Sequence, residues 1–113
     1  METDSRSDHT PTEVVDGVFL SQLAAGERMS IQHVHVEPGA EVPVHSHEHE
    51  QVGFIYQGAL TFLIDDEEIV CDTGDSYALA SEEPHGAVNN GDTAVKAIDI
   101  FSPPRLDVPW MDD

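Results

Sequence analysis

Short runs of apolar residues, or of alternating apolar and polar residues, follow one another along most of this chain. Each run is closed by a turn signal such as glycine or a Pro-Gly pair, and the runs recur about every ten residues. They read GVFLSQLAAG, MSIQHVHVEPG, QVGFIYQG, ALTFLIDDEE, EIVCDTGD, SYALASEEP, HGAVNNGD and AVKAIDIFSPP. No segment has the 3.6-residue period of an amphipathic helix. The pattern predicts an all-β sandwich or barrel rather than a parallel sheet.

The length and the two ends of the chain indicate one folded domain. With 113 residues the chain can build one small core but not two. We expect residues 1–12 to form a flexible acidic leader, residues 13–105 the domain, and residues 106–113 an acidic tail with Trp110 as a candidate anchor. No apolar stretch approaches the ~18 residues of a membrane span, and Cys71 is the only cysteine, so we expect a soluble cytoplasmic protein.

The charge of the chain excludes two classes of partner. Only 4 Lys and Arg stand against 23 Asp and Glu, which gives a formal net charge of −19 at pH 7. Such a surface repels phosphate backbones and anionic lipids, so nucleic acid and membrane are poor partners. The acids are spread along the whole chain and Lys96 is its only lysine. We interpret this as adaptation to high salt, where like-charge repulsion is screened, and expect a halophilic source.

Two longer stretches carry spacings that point to one family. They read GAEVPVHSHEHEQVGFIYQG and, further on, GDSYALASEEPHGAVN. These spacings resemble the two cupin motifs, and the resemblance spans roughly residues 17–102. It implies a double-stranded β-helix of jelly-roll type with one metal held inside. The second motif departs from the family pattern, because Ala80 and Glu82 stand where a proline and a second glycine are usual.

The residues themselves favour the same metal site. Side chains two apart on a strand share a face, so His45 and His47 can both point inward, and Gln51 keeps that parity. A fourth ligand from a strand about 40 residues later would converge with them across a barrel, and His85 occupies that place. The predicted ligands are therefore His45, His47, Gln51 and His85. Imidazole and amide donors suit Fe, Mn, Ni, Zn and Cu alike, so we expect one divalent transition metal per chain without knowing which.

Other residues in or near this motif offer alternatives. The family usually has a ligand glutamate where this chain has Gln51; Glu50 beside it lies on the opposite strand face and could ligate only if the strand bulges. His49 shares the parity of the ligands, but the four-donor set is complete without it. His33 and His35 form another HxH pair with no third ligand nearby, and we expect them on an outer sheet face.

A neutral ligand set has a consequence for the substrate. Three imidazoles and one amide leave the charge of a divalent ion uncompensated in a low-dielectric interior, so the site should bind a small anion. An arginine would serve as the partner of a carboxylate, because its guanidinium pairs with that group in a bidentate fork. Only Arg6, Arg28 and Arg105 are available.

The last predicted strand, AVKAIDIFSPPR, contains the candidate catalytic residues. If Lys96 faces solvent, then Asp99 and Phe101 point into the barrel, whereas Ile98 and Ile100 point outward. Burial would raise the pKa of Asp99 and suit it to proton transfer. The alternative is a surface aspartate with the two isoleucines inside. The proline pair that follows stiffens the turn and could set Arg105 at the barrel mouth.

This ending, together with HSHEHEQ, looks like the pectin-degradation subfamily of cupins, which opens 4,5-unsaturated monouronate rings to linear keto sugar acids. The resemblance implies that Asp99, Phe101 and Arg105 are catalytic and that the reaction is a metal-dependent isomerisation with no redox change. Two other classes remain open, an iron-dependent cupin dioxygenase and a non-catalytic small-molecule-binding cupin. An outward face with Ile98 and Ile100 would expose apolar surface in a monomer, so we expect a homodimer through that sheet.

Overall fold

The computed structural model describes residues 1–106, so the predicted anchor Trp110 and the rest of the tail lie outside the described residues. This part of the chain consists of strands and turns with a single 3-10 turn at Arg6–Asp8 and no α-helix, which confirms the all-β prediction. The strands are β1 (Thr12–Val15), β2 (Val18–Ala25), β3 (Ser30–Val36), β4 (Glu41–His45), β5 (Glu50–Gln57), β6 (Leu60–Ile64), β7 (Glu67–Cys71), β8 (Ser76–Leu79), β9 (His85–Val88) and β10 (Val95–Ser102). Within residues 1–106 no helix is long and apolar enough to cross a bilayer.

The strands form two antiparallel sheets that face each other as a jelly roll. The larger sheet has the order β1-β2-β3-β10-β5-β8, and the smaller has the order β4-β9-β6-β7. Some neighbouring strands are far apart in sequence, because β10 lies between β3 and β5 in the larger sheet and β9 lies between β4 and β6 in the smaller. This order brings residues from the two ends of the domain into one barrel interior.

The core lies between the sheets because inward and outward positions alternate along the strands. In β10, for example, every second residue from Val95 to Phe101 is buried. The largest fully buried apolar side chains are Val18, Val36, Ile55, Val95 and Phe101. Full burial of a side chain of this size contributes about 1.5–3 kcal/mol to stability. The core is therefore built from period-two strand patterns that come from both halves of the chain.

The structure departs from the expected strands at three places. The strand β1 begins at Thr12, the last residue assigned to the leader, and neither β1 nor β4 was among the predicted runs. The third departure concerns the ligand motif, because β4 ends at His45 and the next strand begins only at Glu50. The assumption that His47 lies on a strand was wrong. Residues 46–49 form a bent connection, so strand parity does not explain the direction of the His47 side chain.

The outer side of the larger sheet carries an exposed apolar surface. It consists of side chains from β5 and β10 that point away from the core, and we call it the outer apolar face: Val52, Phe54, Tyr56, Ile98 and Ile100. Of these, Phe54 is 47% exposed and Val52 is 41% exposed. Ile98 and Ile100 thus point outward, as the alternation in β10 predicted.

The second HxH pair lies on the same outer side of the larger sheet, away from the barrel interior. Although His33 is on an outer face, it is only 5% exposed. Its Nε2 atom forms a hydrogen bond with the Tyr56 hydroxyl, and Arg6 and Pro11 of the N-terminal segment lie at the hollow around His33 and His35. The burial of His33 therefore comes from Tyr56 and from the segment that precedes β1.

Candidate metal centre and adjoining pocket

Three histidines converge inside the barrel at one end of the smaller sheet. His45 is the last residue of β4, His85 is the first residue of β9, and these two residues are register partners in the β4–β9 pair. His47 reaches them from the bent connection between β4 and β5. One ring nitrogen from each of the three residues lies within 4.8 Å of those of the other two. Three of the four predicted ligands are therefore brought together as a triad that could bind a metal ion.

The backbone fixes which nitrogen of each ring faces the centre of the triad. The Nδ1 atoms of His45, His47 and His85 lie 2.8, 2.9 and 2.9 Å from the carbonyl oxygens of residues 43, 49 and 83. A carbonyl oxygen only accepts, so each Nδ1 carries the proton and donates it. Each Nε2 is then the unprotonated ring nitrogen, which is the usual arrangement of metal-binding histidines.

The electrostatic surroundings keep the triad neutral. Burial is the main cause that lowers the pKa of all three imidazoles, and for His45 the pKa falls to about 4. The positive charge of Arg105 lowers the pKa of each of them further. Neutral imidazoles are the form that binds metal, so no proton has to leave these rings near pH 7.

Gln51, the fourth predicted ligand, is buried on β5 beside the triad. Its Oε1 atom lies 3.1 Å from His47 Nε2, while the side-chain amide also forms a hydrogen bond with Asp99. Because the Gln51 amide N–H donates a hydrogen bond to Asp99 and His47 Nδ1 carries the ring proton, two lone pairs face each other between Gln51 Oε1 and His47 Nε2. A cation between these atoms would satisfy both. Three imidazole nitrogens and one amide oxygen therefore fit a divalent transition metal.

Glu50 and His49, the two alternative ligands, lie outside the histidine triad. Glu50 is exposed at the start of β5, on the strand face opposite Gln51. His49 is half-buried, with its ring centre 5.6 Å from that of His47 and 6.1 Å from that of Phe101. It does not belong to the triad, and its carbonyl oxygen serves instead as the acceptor for His47 Nδ1.

The connection between β8 and β9 holds the bent ligand segment in place. The backbone N–H of Glu82 donates to the carbonyl oxygen of His47 at 2.7 Å, and the Ser81 hydroxyl donates to the carbonyl of Glu48 at 2.7 Å. Glu82 adopts a φ of 68°, a left-handed conformation that glycine adopts with less strain. The position where the family usually has glycine thus keeps the glycine-like backbone although the residue is glutamate.

Asp99 lies at the centre of a row of residues that crosses the larger sheet. In register, Gln32 of β3 faces Asp99 of β10, Asp99 faces Gly53 of β5, and Gly53 faces Tyr77 of β8. All four positions point inward. Because Gly53 has no side chain, the Tyr77 hydroxyl reaches across it and donates a hydrogen bond to Asp99 Oδ1.

The pKa of Asp99 reflects this environment. The residue is only 6% exposed, and burial raises its pKa to about 6, against the lowering effects of the hydrogen bonds from Tyr77 and Gln51 and of the charge on Arg105. Burial and the neighbouring carboxylate together raise the pKa of Tyr77, so the phenol stays protonated and remains the donor. A carboxyl group with a pKa near neutrality can both accept and release a proton.

Phe101 and Arg105 complete the mouth of the pocket. The guanidinium carbon of Arg105 lies 5.2 Å from the centre of the Phe101 ring, and the edge of the His47 ring contacts the same phenyl group. The backbone N–H of Arg105 donates to the Ser30 hydroxyl at 2.8 Å, which ties the segment after β10 to β3. Of the three arginines considered from the sequence, Arg105 is the one that lines this cavity; Arg6 and Arg28 lie on the exposed surface.

Sequence reasoning missed three residues of this pocket: Gln32, Gly53 and Tyr77. Each lies on a predicted strand, but only the pairing of β3, β10, β5 and β8 places them beside Asp99. The available signal was the polar residue Gln32 among apolar inward positions of β3, where Val34 and Val36 follow it on the same face.

Comparison with known proteins shows the family to which this fold belongs. The cupin domain family matches residues 32–101, which include every residue of the triad. The chain belongs to the cupin family. It is 32% identical over 102 residues to the pectin degradation protein KdgF of Dickeya dadantii, covering 88% of this chain and 92% of that protein. The cupin fold predicted from the two motifs is therefore confirmed.

Two further similarities concern a solved structure and a second enzyme. The structure of KdgF from Halomonas sp. has a TM-score of 0.85 and 28% identity with this cupin, over 95% of this chain and 97% of that one. The H2HPP isomerase of Bacillus subtilis is 34% identical over 67 residues, which make up 59% of this chain but 28% of the isomerase. The resemblance to pectin-degradation cupins stated from the motifs is thus confirmed by sequence and by structure.

Proposed function

We propose that this cupin is a metal-dependent isomerase that opens the ring of a 4,5-unsaturated monouronate without redox change. The observation that carries the proposal is the position of Asp99, an acid with a raised pKa that is buried beside the histidine triad and shares its cavity with Arg105. The similarity to pectin degradation proteins called KdgF supports the substrate class, and the similarity to an isomerase supports the reaction class.

The metal would be held by His45, His47, His85 and Gln51, whose donor atoms converge in the cavity. When bound, a divalent transition metal supplies Lewis acidity toward substrate oxygens. Because these four ligands are neutral, the charge of a divalent ion would remain uncompensated and would favour an anionic substrate. Arg105 pairs with the carboxylate of the uronate, and the face of Phe101 packs on the apolar face of the sugar ring.

Asp99 moves the protons of the reaction. As the bond between the anomeric carbon and the ring oxygen breaks, the Asp99 carboxylate takes the proton of the anomeric hydroxyl, and that carbon becomes an aldehyde. Asp99 then returns that proton to carbon 4 of the enolate that ring opening leaves, and carbon 5 becomes a ketone. No atom is gained or lost and no oxidant is required. Tyr77 and Gln51 hold the carboxylate in position through their hydrogen bonds.

The test is the ultraviolet absorbance of the unsaturated substrate, which disappears when the conjugated double bond is lost. Metal-reconstituted protein should accelerate this loss over buffer, and Asp99→Asn should reduce the rate by about 100-fold or more, as expected for removal of a general acid–base group. Asp92→Asn, a change at an exposed position, is the matched control and should keep the parent rate.

Three results would contradict the proposal. No acceleration by the parent protein with any divalent transition metal would remove ring opening as the function. Oxygen consumption that accompanies substrate loss would favour the dioxygenase instead. Tight binding of the uronate without turnover, unchanged in Asp99→Asn, would favour the non-catalytic binding cupin.

We also propose that two copies pair through the outer apolar face. Phe54, Val52 and Tyr56 are 47%, 41% and 41% exposed there, and Ile100 is 36% exposed. Together they form an apolar surface of a kind that soluble monomers rarely present.

A cytoplasmic location in a halophile is proposed on composition alone, from the single cysteine and the net charge of −19.

A further inference from the structure

Gln32 is a buried polar residue of the core whose amide nitrogen is unpaired within the described part of the chain. It is 2% exposed and lines the cavity on the inward face of β3. Among residues 1–106, its Nε2 atom has no hydrogen-bond partner. A buried donor left without a partner destabilises the folded state, and native proteins contain few of them. Because the inward neighbours Val34 and Val36 are apolar, an apolar residue at position 32 would suit the core better.

The position of Gln32 relative to the other polar residues indicates what its amide could bind. Gln32 is the register partner of Asp99 in the β3–β10 pair. Ser30, two residues earlier on the same face of β3, accepts the backbone N–H of Arg105 at 2.8 Å. Gln32 is therefore adjacent in the sheet to the proposed proton carrier and two residues from the serine that binds the backbone of Arg105, and Gln32, Asp99 and Arg105 line one cavity.

We propose that Gln32 is a substrate-binding residue whose Nε2 donates a hydrogen bond to the carboxylate that Arg105 pairs with. The inference rests on the proposed function in taking that anion to be a uronate. A carboxylate has about four lone-pair sites and a guanidinium fork uses only two of them, so a second donor is needed to satisfy the rest in a buried site. A neutral amide supplies this hydrogen bond without adding charge near the triad. The cost of an unpaired donor in the free protein is then recovered when the substrate binds.

The experiment compares an acid with its ester. The probes are galacturonate, which has no double bond to lose, and its methyl ester, with binding to the metal-reconstituted protein measured by titration calorimetry. The variant Gln32→Met keeps the length of the side chain and removes the amide. It should weaken galacturonate binding about tenfold or more and ester binding by less, because a neutral ester carbonyl accepts a weaker hydrogen bond than a carboxylate does. Its Tm should be unchanged, or raised by about 4 °C, because an unpaired buried donor is lost.

Gln57→Met is the matched control. The Gln57 amide donates to the carbonyl oxygen of Ala94 at 3.0 Å, and the residue does not line the cavity. This variant loses a hydrogen bond that the folded protein makes, so its Tm should fall while the affinities for acid and ester stay at parent values. The two variants should thus show opposite patterns of stability and binding.

The ratio of acid affinity to ester affinity decides the outcome, because a change in stability affects both ligands equally. A ratio in Gln32→Met equal to that of the parent would overturn the inference, and so would a parent protein that does not bind galacturonate. A parent that binds galacturonate with the expected ratios but does not open the unsaturated ring would contradict the proposed reaction alone. Ring opening by the parent with an unchanged ratio in Gln32→Met would contradict only the role of Gln32.

Discussion

The substitution Gly53→Ala should disrupt the pocket without removing any functional group. The added methyl carbon would lie far inside van der Waals contact with the Tyr77 ring and hydroxyl and with Asp99 Oδ1. These atoms belong to a buried hydrogen bond, so neither side chain can yield without breaking it. Because Gly53 has no side chain, Tyr77 can pass over it and reach Asp99.

Two contributions set the size of the effect. Overpacking of a core position costs about 1–3 kcal/mol, and the loss of a buried hydrogen bond to a charged group costs about 1.5–3 kcal/mol. Their sum is roughly 3 kcal/mol if part of the strain is relieved when the bond breaks. For a chain of 113 residues, about 4 °C of Tm corresponds to each kcal/mol, so Tm should fall by about 12 °C.

Thermal unfolding followed by circular dichroism measures this difference directly. Gly26→Ala is the matched control, because the nearest atom to its added carbon is the Met29 carbonyl oxygen at 3.9 Å and its φ is not positive. The control should keep the parent Tm or exceed it slightly, since alanine restricts the unfolded chain more than glycine does. Ring opening by Gly53→Ala should also slow, because Asp99 loses its tyrosine partner.

A double-mutant cycle with Tyr77→Ala tests whether the tyrosine causes the loss of stability in Gly53→Ala. In a Tyr77→Ala background the clash with the tyrosine is gone and only the contact with Asp99 Oδ1 remains, so the added methyl group should cost less than it does in the parent. A parent-like Tm for Gly53→Ala, or an equal cost in both backgrounds, would show that the tyrosine does not occupy this space.

Four further predictions concern the metal, pH, assembly and salt. Divalent metal should raise Tm by mass action, and this rise should vanish in His85→Ala and persist in His33→Ala, each compared with its own metal-free form by scanning fluorimetry. The pKa of buried His33 is lowered from 6.5 to about 4. As the pH falls, the unfolded chain therefore binds a proton at His33 at a higher pH than the folded protein does. The free energy of unfolding, measured by urea titration, should fall between about pH 6.5 and pH 4, and it should fall less steeply in His33→Leu. Phe54→Asp should convert a dimer to a monomer in light scattering at molar salt; a monomeric parent would contradict the dimer. Lowering the salt should unfold the metal-free protein in circular dichroism, because repulsion among its 23 acids is then less screened.

The strand faces could be predicted from the sequence because period-two alternation records burial directly. In AVKAIDIFSPPR the alternation left two orientations, and the one with Lys96 toward solvent, Asp99 and Phe101 inside and Ile98 and Ile100 outside agrees with the burial pattern of β10. The same rule failed for His47, because β4 ends at His45 and the direction of the next residues is set by hydrogen bonds from Ser81 and Glu82. Loop conformation depends on distant partners, which a local period does not encode.

The contacts around Asp99 could not be predicted for a related reason. Gln32, Gly53 and Tyr77 are separated from it by 67, 46 and 22 residues, and they become neighbours only through the strand order of the larger sheet. Motif spacing predicted the candidate ligands because they lie in two short segments, whereas the residues that surround Asp99 come one from each strand. The alternating pattern predicts which residues face inward but not which strands are adjacent.

The distribution of charge explains how so acidic a chain could bind an anion. Although the chain has 23 acids, Asp99 is the one acid among the described residues that line the cavity, and Arg105 is the one lysine or arginine there. The remaining acids act on a substrate from a distance, through water and salt, and screening at 1 M limits that repulsion to about 3 Å. Inside the cavity the proposed substrate would contact Arg105 and the triad in a low-dielectric environment, where dissolved ions screen little. High salt therefore removes the long-range repulsion and leaves the short-range attraction, so surface acidity and an anion site are compatible in the same small protein.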